Sequence, residues 1–161
     1  MLISAELNAA FNTQIGREFL ASHQYIAMAA DFEDRALKKL AEMFYAQAAE
    51  ERDHAMKFAR YLVSVNGRVE IPAIPAPPTG FASVEAAVQQ AYDWELEITG
   101  HVNDLMSLAV EKRDYAAQDF LRWFVTEQVE EVQTMDNLLK VVKQVGERNI
   151  IMVEAYLVHG E

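Results

Sequence analysis

Cysteine is absent from the 161 residues, and glycine and proline are scarce at 6 and 4. Without cysteine there is no disulfide scaffold, no thiol catalysis, no Cys-ligated zinc and no rubredoxin-type iron centre. Positive charge is short as well: 14 Lys+Arg face 25 Asp+Glu, a net charge of −11. That balance argues against a nucleic-acid partner and suits a protein that attracts cations. Residues 1–11 lack the basic and apolar segments of a secretion signal. Within the helical pattern, the charge-free stretch Phe19–Ala30 is too short to span a bilayer. The expectation is a cytoplasmic chain with no membrane contact, long enough for a single domain over 1–161 with its own core.

What is abundant is Ala, Leu, Glu, Gln and Met, the good helix formers. Breakers concentrate in one place, Gly67 to Gly80 with Pro72, Pro75, Pro77 and Pro78. Ser4 and Ser83 suit helix N-caps, weaker breaks fall at 35–38 and 113–114, and Gly146 suits a stop. These marks predict helices near 5–34, 39–66, 83–112 and 115–145, with a short fifth near 147–158.

Each long segment carries apolar residues at alternating steps of three and four. The first series is Leu7, Phe11, Gln14, Glu18, Ala21, Tyr25, Met28 and Phe32; the second is Leu40, Phe44, Gln47, Glu51, His54, Phe58, Tyr61 and Val65. The third runs from Val84 through Glu95 to Ala109, and the fourth from Leu121 through Gln128 and Glu131 to Val142. Four such seams predict an all-α four-helix bundle. Short connections make the first and second helices antiparallel, and likewise the third and fourth. A helix of about 28 residues is about 42 Å long. The 67–82 linker reaches about 50 Å when extended, so it serves as one long crossover between parallel helices two and three. That connectivity is ferritin-like.

The informative residues are those that interrupt the seams. Glu18, Glu51, His54, Glu95, Gln128 and Glu131 sit near the middle of their helices, where packing would place Leu or Phe, and no Lys or Arg shares the seams. Unpartnered buried carboxylates cost several kcal/mol each. They must be protonated, hydrated or bound to cations. Glu51 and His54 form a Glu-x-x-His pair on one helix face, the ligand spacing of di-iron bundles. One layer of carboxylates with an imidazole fits two divalent metals sharing a bridging carboxylate. Gln14 and Gln47 read as polar layers flanking that site, meeting each other or water.

With these residues in place, the chain resembles the non-haem bacterial ferritins over nearly its full length. The most specific stretches are Ala49-Glu50-Glu51-Arg52-Asp53-His54 and Phe120-Leu121-Arg122-Trp123-Phe124, leading into Glu127-Gln128-Val129-Glu130-Glu131. The resemblance implies a first iron site of Glu18, Glu51 and His54, and a second of Glu51, Glu95 and Glu131 with Gln128 beside it. Glu50, Glu127 and Glu130 match an acidic cluster that forms a third site in several of these proteins. Tyr25 matches the family's site tyrosine, and Trp123 a nearby tryptophan. Arg52 stands where bacterioferritins carry a haem-ligating methionine, so no haem is expected.

The implied function is iron storage and detoxification. A ferroxidase oxidises Fe²⁺ with dioxygen or peroxide and keeps it as ferric oxyhydroxide inside a homo-oligomeric shell of 24 subunits. The apolar tail from Ile150 to Val158 is then expected at a fourfold axis. Two readings stay open on the residues alone. One is a di-iron or di-manganese oxidase acting on an organic substrate; the other is a non-catalytic acidic bundle that binds a partner helix.

Overall fold

Side chains begin the helices where the sequence offers caps. Ser4 Oγ accepts from the Leu7 N–H, Ser83 Oγ from that of Ala86, and Asp114 Oδ1 from that of Ala117. The structure, a computed structural model, describes residues 2–159. Its elements are α1 (Ala5–Asp34), α2 (Lys38–Ser64), α3 (Val84–Glu111), α4 (Tyr115–Val145), a 3-10 turn (Glu147–Asn149) and α5 (Met152–His159). The predicted fifth helix is therefore shorter: its first residues form the 3-10 turn, and α5 proper starts at Met152. Likewise α2 stops at Ser64, two residues before the expected end.

Three helix ends turn without glycine. Ala36, Asn66 and Arg113 adopt positive φ of 62°, 55° and 54°. After each, the next N–H returns to a carbonyl five residues back, as in Leu37 to Phe32, Gly67 to Leu62 and Asp114 to Ala109. The turns at Ala36 and Arg113 fold α2 back along α1 and α4 back along α3, while that at Asn66 leads into the linker.

The linker between α2 and α3 travels the length of α1. At its start Asn12 donates to the Arg68 carbonyl at 2.8 Å and accepts from the Glu70 N–H at 2.7 Å. Midway, Pro72 lies against Gly16, where any Cβ would collide with the proline ring. At its end Arg35 donates to the Phe81 carbonyl at 2.6 Å. From Asn12 to Arg35 the crossover covers about 35 Å of helix, so α2 and α3 run parallel. The protein is an all-α, four-helix bundle with one long crossover and a short fifth helix.

The seams meet in the core. Every seam residue named above is buried except Gln47 and Tyr61, which are half-buried. Apolar packing divides into two clusters. One holds Tyr25, Phe32, Phe44, Val88 and Met135; the other holds Phe11, Phe58, Ile98, Leu121 and Phe124. Between them lies a slab of polar side chains. α5 closes the end of the first cluster, with Val153 fully buried and the Glu154 carboxylate accepting from the Lys39 and Leu40 N–H groups, both at 2.9 Å. Part of the tail that was expected on a symmetry axis thus packs within its own chain, while Ile151, Met152, Tyr156 and Val158 stay exposed. No described helix is long and apolar enough to cross a membrane.

Candidate metal centre

The polar slab contains Glu18 from α1, Glu51 and His54 from α2, Glu95 from α3, and Gln128 and Glu131 from α4, all buried. Each faces the core because the 3,4 seam turns every fourth or third residue inward, regardless of its polarity, and each stands near the middle of its helix. Ligand atoms of Glu18, Glu51 and His54 lie within 4.8 Å of one another. The same holds for Glu51, Glu95 and Glu131, so Glu51 belongs to both groups.

Hydrogen bonds satisfy only part of this slab. His54 Nδ1 lies 3.2 Å from Glu51 Oε2. Glu95 accepts from the Tyr25 hydroxyl on one oxygen and from Gln128 Nε2, at 3.2 Å, on the other. Gln128 Nε2 also reaches Thr99 Oγ1 at 3.2 Å. Buried oxygens of Glu18, Glu51 and Glu131 are left with no partner. Buried polar atoms are almost always paired, so three orphaned carboxylate oxygens in one layer have the chemistry to hold a cation.

The electrostatics agree. Burial pushes Glu18 well above the usual carboxylate range, and Glu51's charge adds to it; His54 and Gln14 pull the other way. Burial also raises Glu51 well above that range, reinforced by Glu95 and Glu131. Glu95 rises because of burial, opposed by the hydrogen bonds from Tyr25 and Gln128. Glu131 is pushed up to about 9 by burial and by the charges of Glu95, Glu50, Glu127 and Glu18. Burial thus drives all four carboxyls toward their protonated forms, and a divalent cation can take the place of the protons.

Of the three acids off the seam, one lies against the buried ligands. Glu127 is half-buried and groups with His54 and Glu131, with ligand atoms within 4.8 Å. Glu50 and Glu130 are exposed and join no such group among the described residues. Trp123, 41% exposed, meets the His54 ring edge-on at 5.4 Å and carries Lys57 Nζ over its face at 4.3 Å.

Gln14 and Gln47 do not meet each other. Gln14 Nε2 donates to Glu18 Oε1 at 2.8 Å, while Gln47 Oε1 is buried without a partner. Gln14 therefore touches the site rather than only flanking it, and its i, i+4 spacing to Glu18 is the signal in the sequence.

The comparisons fit this geometry. Residues 8–145 match the family described as Ferritin-like domain. Ferritin BfrB of Mycolicibacterium smegmatis is 37% identical over 155 residues, covering 96% of this chain and 85% of that protein. The bacterial non-heme ferritin of Staphylococcus haemolyticus is 34% identical over 146 residues, covering 91% and 88%. Among solved structures, an open pore ferritin from the hyperthermophilic archaeon Archaeoglobus fulgidus superposes with a TM-score of 0.94 at 31% identity, covering 98% of both chains. Similarity of this extent, on a bundle with orphaned carboxylates at its centre, places the protein: the chain belongs to the ferritin family.

Proposed function

We propose that the whole chain, 1–161, acts as one ferritin-like unit that oxidises Fe²⁺ and stores the ferric product. The observation that carries this is the pair of ligand groups sharing Glu51, with unpartnered oxygens on Glu18, Glu51 and Glu131. Glu18, Glu51 and His54 take one iron. Glu51, Glu95 and Glu131 take the other, with Gln128 beside it. Carboxylates with one imidazole are hard donors that favour Fe³⁺ over Fe²⁺, which drives oxidation. Two Fe²⁺ supply two electrons, enough to take one dioxygen and two protons to hydrogen peroxide. Peroxide itself serves as the alternative oxidant.

The two groups differ, and the difference suits storage. Glu95 is held by Tyr25 and Gln128, whereas Glu131 also faces Glu127. Ferric product leaving the second site passes Glu131 and Glu127, with Glu50 and Glu130 adding negative charge nearby, as a third site. The core on both sides is filled by Tyr25, Met135, Phe58 and Phe124, which supports iron itself as the substrate rather than an organic molecule. The exposed face of α5 supports assembly into a homo-oligomeric shell, of 24 subunits in this family.

One experiment tests both size and chemistry. Metal-free protein is passed down a sizing column, given Fe²⁺ without air, then exposed to air beside a no-protein control. A very large particle that oxidises iron quickly and keeps it soluble is expected. A small oligomer that binds two metals per chain, yet lets ferric hydroxide precipitate, overturns storage.

A further inference from the structure

A chain of hydrogen bonds leads out of the metal layer along α1. Gln14 is fully buried and donates from Nε2 to Glu18 Oε1 at 2.8 Å. Its Oε1 accepts from Arg17 Nη1 at 3.3 Å. Arg17 is half-buried and borders a surface hollow between α1 and α3 that His101 and Asp104 also line. A guanidinium has donors only, so the Gln14 amide must turn its oxygen toward Arg17. The amide nitrogen is then forced toward Glu18. Of the two Glu18 oxygens, Oε1 is taken by Gln14 and Oε2 is buried with no partner.

We propose that Gln14, oriented by Arg17, is a positioning residue that reserves one oxygen of Glu18 and leaves only the other for metal. The proposal rests on the reading of Glu18 as an iron ligand. Its consequence is one-oxygen ligation at the first site, with the carboxylate kept in place for successive loads of iron. Outer hydrogen bonds of this type change metal affinity about 10- to 100-fold when removed. The second site has its own counterpart in Tyr25 and Gln128 on Glu95, so the two sites are tuned by separate residues.

The test is a titration of metal-free protein with Co²⁺, whose visible absorption reports how many donors surround the ion. Wild type is expected to take two Co²⁺ per chain, and Glu51→Gln to lose both. Gln14→Met keeps the side chain's length and packing but removes its donor. One Co²⁺ is then expected to bind as in wild type. The other weakens about 10- to 100-fold, with an altered spectrum as Glu18 becomes free to bind through both oxygens. Arg17→Leu, at a half-buried position, is expected to shift the same site by less. Helical circular dichroism checks that both variants fold. Wild-type affinity and spectrum in Gln14→Met overturn the role of Gln14, and wild-type behaviour in Arg17→Leu overturns that of Arg17. A wild-type chain that takes up no Co²⁺ is a different failure: it overturns the metal-centre reading and this proposal with it.

Discussion

Tyr25 on α1 donates its hydroxyl hydrogen to Glu95 on α3, tying the two helix pairs together through the carboxylate layer. The same carboxylate accepts from Gln128 on α4, so three helices converge on one side chain. Both donors oppose the upward push that burial exerts on Glu95.

Tyr25→Phe leaves the ring in the core and removes that donor. A hydrogen bond to a charged or partly charged group contributes about 1.5 to 3 kcal/mol. Metal-free Tyr25→Phe is expected to lose stability of that order in denaturant unfolding. Glu95 then holds its proton more tightly, so metal binding at the second site weakens. Unchanged stability and unchanged binding would refute the role given to this bond.

Glu51 belongs to both ligand groups, and its charge is opposed by burial and by Glu95 and Glu131. Glu51→Gln keeps the shape and removes the charge. Rapid iron oxidation is expected to fall to the rate of the no-protein control. The metal-free variant should be more stable than wild type at pH 8, by about 1 to 3 kcal/mol. Ferroxidation at the wild-type rate in this variant sinks the site assignment.

The raised carboxyls make stability depend on pH with a definite sign. Glu131 has a folded value of about 9 against 4.5 for the free side chain. Between these values the folded state binds more protons than the unfolded state, so stability falls as pH rises through that window. Below 4.5 both states are protonated, and above about 9 neither is, so the slope vanishes outside it. The expectation is a metal-free Tm that drops between pH 6 and 9. Zn²⁺, which replaces the protons, should flatten or reverse that trend. A metal-free Tm that climbs over the same range would contradict the burial of these acids.

Glu154 caps α2 from a distance. Leu37, the local N-cap, offers no side-chain acceptor, and both oxygens of Glu154 fill the place instead. Glu154→Ala is expected to cost about 1 to 2 kcal/mol. Faster hydrogen exchange at Lys39 and Leu40, beyond that at mid-helix sites, is the specific readout.

Two glycines separate close approach from mere permissiveness. Gly16→Ala drives a Cβ into Pro72 and is expected to cost about 1 to 3 kcal/mol by displacing the crossover. Gly100, exposed in the middle of α3, has nothing within 4 Å of an added Cβ. Gly100→Ala is expected to stabilise the folded chain by about 0.5 to 1 kcal/mol. Thermal unfolding of the two variants side by side distinguishes them by sign.

Much of this protein follows from periodicity in one dimension. The 3,4 spacing puts Glu18, Glu51, Glu95 and Glu131 on inward faces, and helix geometry carries that placement into space without further information. Proline and glycine between Gly67 and Gly80 imply the crossover, because no helix can form there. Three things required the tertiary structure. Asn12, Ser22 and Gln24 are buried although they lie off the seam, because α1 is covered on further sides; the crossover reaches Asn12, and Ser22 bonds the Ala48 carbonyl on α2. The grouping of Glu127 with His54 and Glu131, rather than with Glu50 and Glu130, depends on how α2 and α4 are rotated against each other. The orientation of the Gln14 amide depends on where Arg17 reaches. Residue spacing determines which face a side chain occupies, whereas partners across helices depend on rotation and separation, which only packing decides.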